Sequence, residues 1–288
     1  MAQKSFGTGG TITKLNTIAD YLQFYTTALG GKFRLTYIDG FAGSGEIPIK
    51  SELPLFDGVI EYEKVIPGSA RNSLSLDRPF DSYVFADTKK SNVTSLSLLS
   101  KEFPHLADRI RVVRGDANGV VLDYCTAHNP KTDRAVIFLD PFGNHVNWST
   151  VEAVARCKGI DLWYLFPSGL GVVRQISDDA SVQKDAEESL NRIFGDNSWI
   201  EASTVHTGQL NLLEVESEDR RKTATADSIT RHFISKMRNV FEGVVLDEWL
   251  ALGAKNGHWY SLVFACSNDS EKAKSLARRV AKDIMKKK

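Results

Sequence analysis

Apolar and polar positions follow two alternating periods along the first 166 residues. Short apolar runs typical of buried strands cover residues 33–39, 82–87, 109–116, 135–140 and 160–166. Between and before them, helical spacing predicts helices over residues 14–29, 69–76, 91–102, 118–127 and 147–157. Residues 40–68, rich in Gly and Pro, predict a long loop. Strands that alternate with helices indicate βα units and therefore a parallel sheet.

The pattern changes after the fifth predicted strand. Residues 170–238 show no clear strand and much polar helical sequence, which predicts a helical insertion on the substrate side of the sheet. Two further strands are expected over 244–252 and 258–267, joined near the turn signal Asn256-Gly257 and followed by a basic helix. This order resembles the class I S-adenosylmethionine (SAM) methyltransferases. The expected fold is one Rossmann-like α/β domain over residues 1–288, mostly parallel and closed by an antiparallel C-terminal hairpin.

Composition narrows the class of protein but selects no function. The chain has 288 residues, 42% of them hydrophobic, and a net charge of zero, so no global field attracts nucleic acid. Eight Lys and Arg residues nevertheless crowd residues 271–288. The three cysteines form no CxxC and the six histidines no paired spacing, so neither a metal site nor a disulfide framework is predicted. No apolar run indicates a membrane span, and a reducing cytoplasm is the expected location.

Acidic residues stand where the predicted strands end. Asp39 precedes the glycine-rich segment "GFAGSG", Asp87 ends the second strand, and "GDAN" (115–118) ends the third. Ligands of an open α/β sheet bind at these carboxyl ends. A cationic sulfonium with an amine and a ribose diol suits acids there, which predicts S-adenosyl-L-methionine as the cofactor. The residues expected to bind it are Asp39, Gly40, Phe41, Ala42, Gly43, Gly45, Ser69, Asp87, Asp116, Ala117 and Asn118.

These acids and glycines also have simpler interpretations. Asp87, Asp116 and Ser69 are good helix N-caps, and a glycine-rich turn after a strand is common. NAD shares the glycine loop and the acid of the second strand, but it gives no reason for "GDAN" or for the closing hairpin. The segment "GFAGSG" lacks the Lys-Ser/Thr of a P-loop, and "FAGSG" is not the nucleophile elbow of a hydrolase. Cofactor binding is favoured because all these features occur together.

At these residues the chain resembles the three-Cys-motif partner (TcmP) family. The resemblance is carried by "YIDGFAGSGE", "GSA", "GDAN", "IFLDPFG" and "DLWYLFPSG", in the family's order and approximate spacing. The segments "TITKLNTIADYL" and "WYSLVFACS" also match, so the likeness covers nearly the whole chain. It implies a class I methyltransferase-like fold, SAM binding, and a partner encoded by a neighbouring gene, the three-Cys-motif protein.

The end of the fourth strand carries the candidate catalytic residues. Asp140, Pro141 and Phe142 are similar to the Asp/Asn-Pro-Pro-Tyr/Phe of nucleobase amino-methyltransferases, with one proline fewer, and to the motif of tRNA guanine-N2 methyltransferases. That resemblance implies that Asp140 and the Pro141 carbonyl accept the hydrogens of an exocyclic amine while Phe142 stacks on the base. The alternative for Asp140 is an N-cap or a carboxylate that orients the loop.

The sequence therefore predicts a SAM-dependent methyltransferase that N-methylates a nucleobase in RNA or DNA. Two alternatives stay open at this stage. One is a methyltransferase of a small molecule or peptide, and the other is a non-catalytic SAM-binding partner protein.

Overall fold

The computed structural model describes residues 8–55, 58–206, 220–253 and 257–287. The helices are α1 Thr8–Leu29, α2 Ser69–Leu74, α3 Lys90–Ser97, α4 Leu99–Glu102, α5 Ala117–Ala127, α6 Trp148–Arg156, α7 Lys184–Phe194, α8 Trp199–Ser203, α9 Ala226–Val240 and α10 Glu271–Lys286. The strands are β1 Arg34–Asp39, β2 Glu46–Leu55, β3 Gly58–Pro67, β4 Ser82–Asp87, β5 Ile110–Arg114, β6 Asp133–Leu139, β7 Ile160–Phe166, β8 Thr204–His206, β9 Arg220–Lys222, β10 Val244–Val245, β11 Leu250–Leu252 and β12 Tyr260–Cys266.

The central sheet has the strand order β10-β12-β7-β6-β1-β4-β5, and β11 also pairs with β12. The five strands from β7 to β5 are parallel, whereas β12 runs antiparallel to β7 and to β10. This confirms the predicted Rossmann-like methyltransferase fold, in which the last strand inserts antiparallel. From β1 the chain proceeds outward through β4 and β5, and it then returns to the other side of β1 and proceeds outward through β6 and β7. At this reversal of direction, a crevice opens at the carboxyl ends of the strands.

Both faces of the sheet are buried, which explains the nearly continuous apolar runs of the central strands. In β6, Val136 and Phe138 belong to the core on one face, and Ile137 and Leu139 to the core on the other. The first core packs against α1, α2 and α10, and the second against α5, α6 and α9. Burial of each large apolar side chain stabilises the fold by about 1.5–3 kcal/mol. The two cores hold the strand ends in fixed positions.

The prediction of a loop over residues 40–68 was wrong, because β2 and β3 pair there as an antiparallel hairpin. Pro48 and Pro54 suggested irregular chain, but each strand of a two-stranded sheet has a free edge that tolerates proline. The hairpin closes at its base, where the Gly68 amide donates to the Gly45 carbonyl at 2.9 Å. The glycine-rich loop after β1 is thereby brought next to the start of α2.

The segment 170–238 contains helices, as predicted, but also the short strands β8 and β9, which the sequence analysis missed. Helix α9 packs on the sheet through Phe233, whose ring stacks on Phe166 with centroids 4.1 Å apart. The strand predicted over 244–252 is split into β10 and β11, and the helix predicted over 91–102 is divided at Leu98. Asn256, from the predicted hairpin turn, lies outside the described residues.

Candidate active site

A cavity of about 270 Å³ opens at the carboxyl edge of the sheet. Its described walls come from the starts of α1 and α2, the loops after β1 and β6, the β2–β3 hairpin, α3 and its preceding residue, and the strands β7, β11 and β12. The predicted site residues among its lining are Phe41, Ala42, Gly43, Ser69, Asp140, Pro141 and Phe142. The others lie outside this lining: Asp39, Gly40, Gly45, Asp87, Asp116, Ala117 and Asn118. The structure therefore brings the glycine loop and the "DPFG" segment to one cavity.

The three glycines of the loop after β1 are required for different structural reasons. Gly43 and Gly45 have φ angles of 61° and 80°, which residues with a side chain rarely adopt. A Cβ on Gly43 would meet no atom within 4 Å, so its backbone is open to a ligand. Gly40 instead serves packing, because a Cβ there would lie 2.8 Å from Leu139 Cδ2 and 3.1 Å from Ala117 Cβ.

Asp39 organises this loop from a fully buried position. Its carboxylate accepts the Phe41 amide at 3.2 Å and the Ser69 hydroxyl at 2.5 Å. Burial raises the pKa of Asp39 to about 7, the Ser69 hydrogen bond opposes that rise, and the charge of Asp140 adds to it. Asp39 is therefore a positioning group for the loop and for the start of α2.

Asp87 and Asp116 are placed differently from each other. Asp116 is the N-cap of α5, where its carboxylate accepts the amides of Asn118 and Gly119, so the simpler interpretation is confirmed for this residue. Asp87 caps no helix, since α3 begins after Lys89. One of its oxygens accepts the Lys89 amide at 2.7 Å, and its other oxygen has no partner within the described part of the chain.

Asn118 holds the segment that follows "DPFG". Its amide nitrogen donates to the His145 carbonyl at 2.8 Å, and its oxygen accepts the Asn147 amide and the Thr150 hydroxyl, both at 2.8 Å. The amide also reaches Asp116 at 3.3 Å. All of its hydrogen-bonding groups are used within the protein, and they fix the chain between β6 and α6.

Asp140 forms an ion pair with Lys14 of α1. The two side chains are 22% and 12% exposed, so the pair is largely shielded from water. Sequence analysis missed Lys14 because it lies 126 residues from Asp140, and only the docking of α1 brings the two together. Phe142 is 62% exposed although it is a large apolar residue beside a cavity. Its ring offers a free face to a planar ligand.

Tyr260 of β12 also lines the cavity and was not predicted. Burial, together with the charge of Asp140, raises its pKa to about 12, so its hydroxyl keeps its proton at neutral pH. The charged side chains of the described lining are Lys14, Lys89, Glu46, Glu63 and Asp140. A cavity in which carboxylates outnumber cations suits a cationic ligand better than a pyrophosphate.

Across the described ranges, no group of three or more His, Cys, Asp or Glu residues is arranged to hold a metal ion. None of the helices in those ranges is both long and apolar enough to cross a lipid bilayer.

No family model matches the chain, and no curated protein matches it in sequence. Among solved structures, a Legionella pneumophila protein of the family DUF519 is 13% identical, with a TM-score of 0.49, over 99% of this chain and 92% of that one. A Methanococcus maripaludis protein, named provisionally as a SAM-dependent methyltransferase, is 14% identical (TM-score 0.40), over 94% of this chain and 98% of that one.

The magnesium protoporphyrin IX methyltransferase of Synechocystis, with bound S-adenosylhomocysteine, is 9% identical to this chain. Its TM-score is 0.39 over 88% of this chain and 82% of that one. Likenesses at this level say nothing of activity or ligand. The methyltransferase fold of this chain is defined by its own strand order.

Proposed function

We propose that this protein is a SAM-dependent methyltransferase that N-methylates an exocyclic amine of a nucleobase in RNA or DNA. The observation that carries the proposal is the shared cavity. Asp140, Pro141 and Phe142 line it together with the glycine loop after β1. An acceptor amine at Asp140 would therefore lie beside the place where the fold family holds its methyl donor.

The described residues fit SAM at the carboxyl edge of the sheet. The backbone of Gly43 is open to a ligand, and the Asp87 oxygen that has no partner among the described residues suits the ribose hydroxyls. Asp116, whose carboxylate caps α5, is the acceptor that this proposal assigns to the adenine amine. SAM supplies an electrophilic methyl group when it is bound.

The acceptor half of the site is built by the end of β6. The Asp140 carboxylate and the Pro141 carbonyl accept the two amine hydrogens, which orients the nitrogen lone pair. Proline fixes its own φ angle and so keeps that carbonyl in place, and the exposed ring of Phe142 stacks on the base. Positioning of this kind lowers a barrier by as much as about 7–11 kcal/mol in well-oriented systems. Lys14 pairs with Oδ2 of the same carboxylate and holds it in place.

Family, partner and location belong to the same proposal. The segments "DGFAGSGE", "LDPFG" and "LWYLFP" support membership of the TcmP family. We therefore propose the three-Cys-motif protein of a neighbouring gene as a partner and the cytoplasm as the location.

A small-molecule or peptide acceptor is the second candidate. It is favoured by the walls of the cavity, because α1 and the β2–β3 hairpin enclose it and contribute Glu46 and Glu63. Such walls suit a compact acceptor better than a long phosphate backbone. The Lys14–Asp140 ion pair favours the non-catalytic alternative, because it engages one oxygen of the proposed acceptor carboxylate.

The test uses purified protein and SAM labelled in its methyl group. Separate pools of tRNA, rRNA, duplex DNA, protein and small metabolites are offered to the wild type, to Asp140→Ala and to Asp123→Ala. Asp123 is an exposed acid on α5 and serves as the matched control. We expect label in one nucleic-acid pool, lost only in Asp140→Ala. Label confined to metabolites or protein would favour the second candidate, and Asp140→Ala with normal turnover would refute the role of Asp140.

A further inference from the structure

A second cavity, of about 340 Å³, lies at the opposite edge of the sheet. It is bounded by the last turns of α1, the first turns of α10, and the chain at the starts of β1, β6 and β7. Lys14 contacts the active-site cavity, and Ala28, which lies 14 positions further along α1 and about 21 Å away along its axis, contacts this one. The second cavity is therefore a separate site, and it takes no part in the proposed methyl transfer.

Most of the wall of this cavity is apolar. Phe24, Leu29, Phe33 and Leu276 line it, and each is only partly buried although it packs on the main core. Aromatic and aliphatic walls that keep accessible apolar surface can gain about 25 cal/mol for each Å² that a ligand covers. The cavity thus suits a ligand with a hydrocarbon or aromatic body.

The buried polar groups of the cavity satisfy one another. Asp161 accepts a hydrogen bond from the Tyr21 hydroxyl at 2.5 Å and another from the Cys266 thiol. The Tyr25 hydroxyl donates to the Ala135 carbonyl at 3.2 Å. Burial raises the pKa of Asp161 to about 6, and the hydrogen bonds from Cys266 and Tyr21 oppose that rise. This cluster therefore leaves no strong donor for a ligand, and its one acid is shielded.

The lining also contains three cations: Lys32, Arg134 and Lys272. The Lys32 ammonium donates to the Ala28 carbonyl, and the Arg134 guanidinium donates to backbone carbonyls and lies 3.9 Å from the ring centroid of Phe33. None of the three forms an ion pair within the ranges that the structure describes. The only acid in the described lining is the shielded Asp161. The charge of Arg134 acts on Asp161 and opposes the rise of its pKa that burial causes, but cations that form no ion pair in the described ranges, beside an apolar cavity, are complementary to an amphiphilic anion.

We propose that this cavity binds a free medium-chain carboxylic acid, with the carboxylate at Lys32, Arg134 and Lys272 and the chain against Phe24, Leu29 and Leu276. The proposal is independent of the methyltransferase function, because it uses neither the cofactor edge nor the "DPFG" segment. A ligand of this class needs one anionic head and one apolar chain, which is what the lining offers.

The test is calorimetric titration of the whole protein with sodium decanoate. Decyltrimethylammonium, which has the same chain and the opposite charge, and acetate, which has only the head, are the comparison probes. The variants are Lys32→Met with Lys272→Met, which removes two cations, and Ala28→Phe, which fills the cavity from α1. Lys101→Met, at an exposed lysine of α4, is the matched control. Thermal melts of each variant check that it is folded.

We expect one decanoate to bind per chain, with the comparison probes at least tenfold weaker. The double lysine variant and Ala28→Phe should each weaken decanoate binding at least tenfold, and Lys101→Met should not change it. Equal binding of decanoate and decyltrimethylammonium would overturn the proposal, as would wild-type binding in folded Ala28→Phe. Absence of decanoate binding to the wild type at millimolar concentration would also overturn it.

Discussion

Asp39→Asn should make the protein more stable at pH 8 and remove part of the pH dependence of its unfolding. The Asp39 carboxyl is fully buried, and burial raises its pKa from 3.8 to about 7. The folded state binds the Asp39 proton more tightly than the unfolded state. The stability that this proton confers on the folded state is therefore fully present below about pH 4 and is lost as the pH rises through 7. The amide that replaces the carboxyl in the variant has the same shape and does not ionise, so the variant does not lose this stability at high pH.

The magnitude follows from the pKa difference. Roughly three pKa units at about 1.36 kcal/mol each give about 4 kcal/mol between the protonated and ionised forms. In the variant, the amide oxygen still accepts from Phe41 and the amide nitrogen donates to the Ser69 hydroxyl. Weaker neutral hydrogen bonds lose part of the gain. We expect Asp39→Asn to raise the free energy of unfolding at pH 8 by about 2–4 kcal/mol.

The assay is urea unfolding followed by tryptophan fluorescence at several pH values from 4.5 to 8. The difference between variant and wild type should grow with pH and level off above pH 7. Asp123→Asn, at an exposed acid on α5, is the control and should follow the wild type. A variant that is less stable than the wild type at pH 8, or a difference that does not change with pH, would refute this reasoning.

Three other substitutions test separate parts of the site. Phe142→Ala should raise the KM for a nucleic-acid acceptor roughly tenfold, because base–aromatic stacking contributes about 1–3 kcal/mol. The melting temperature should not change, because the ring is 62% exposed, and an unchanged KM would exclude stacking. Gly40→Ala should destabilise the protein by about 1–3 kcal/mol in urea unfolding, since its Cβ would lie 2.8 Å from Leu139 Cδ2. A variant as stable as the wild type would contradict the packing role assigned to Gly40. Lys14→Met should lower the free energy of unfolding by about 1–3 kcal/mol, because Asp140 loses its shielded partner, and adding Asp140→Asn should restore most of the lost stability. Additive losses in this double-mutant cycle would show that the two side chains are not coupled.

The sequence allowed the central sheet to be predicted because its strands are short apolar runs buried on both faces. The same pattern predicts where the strands end, and it places Asp39, Asp87 and Asp140 at the carboxyl edge of the sheet. The β2–β3 hairpin was missed because prolines mark both irregular chain and free strand edges, and only pairing distinguishes the two.

Long-range contacts account for the other omissions at the site. Nothing near Lys14 in the sequence indicates that α1 docks against the end of β6 and pairs this lysine with Asp140. Asn118 was predicted at the cofactor, but its partners, His145, Asn147 and Thr150, arrive from the next βα unit. Such contacts depend on tertiary packing, which local patterns do not encode.

The central claim is that the carboxyl edge holds SAM in one half and an amine acceptor in the other. The most direct measurement is calorimetric titration of SAM into the wild type, Asp87→Asn and Asp140→Ala. The account predicts one SAM bound per chain, at least tenfold weaker binding in Asp87→Asn, and unchanged binding in Asp140→Ala. Absence of binding to the wild type, or an equal loss in the two variants, would contradict it.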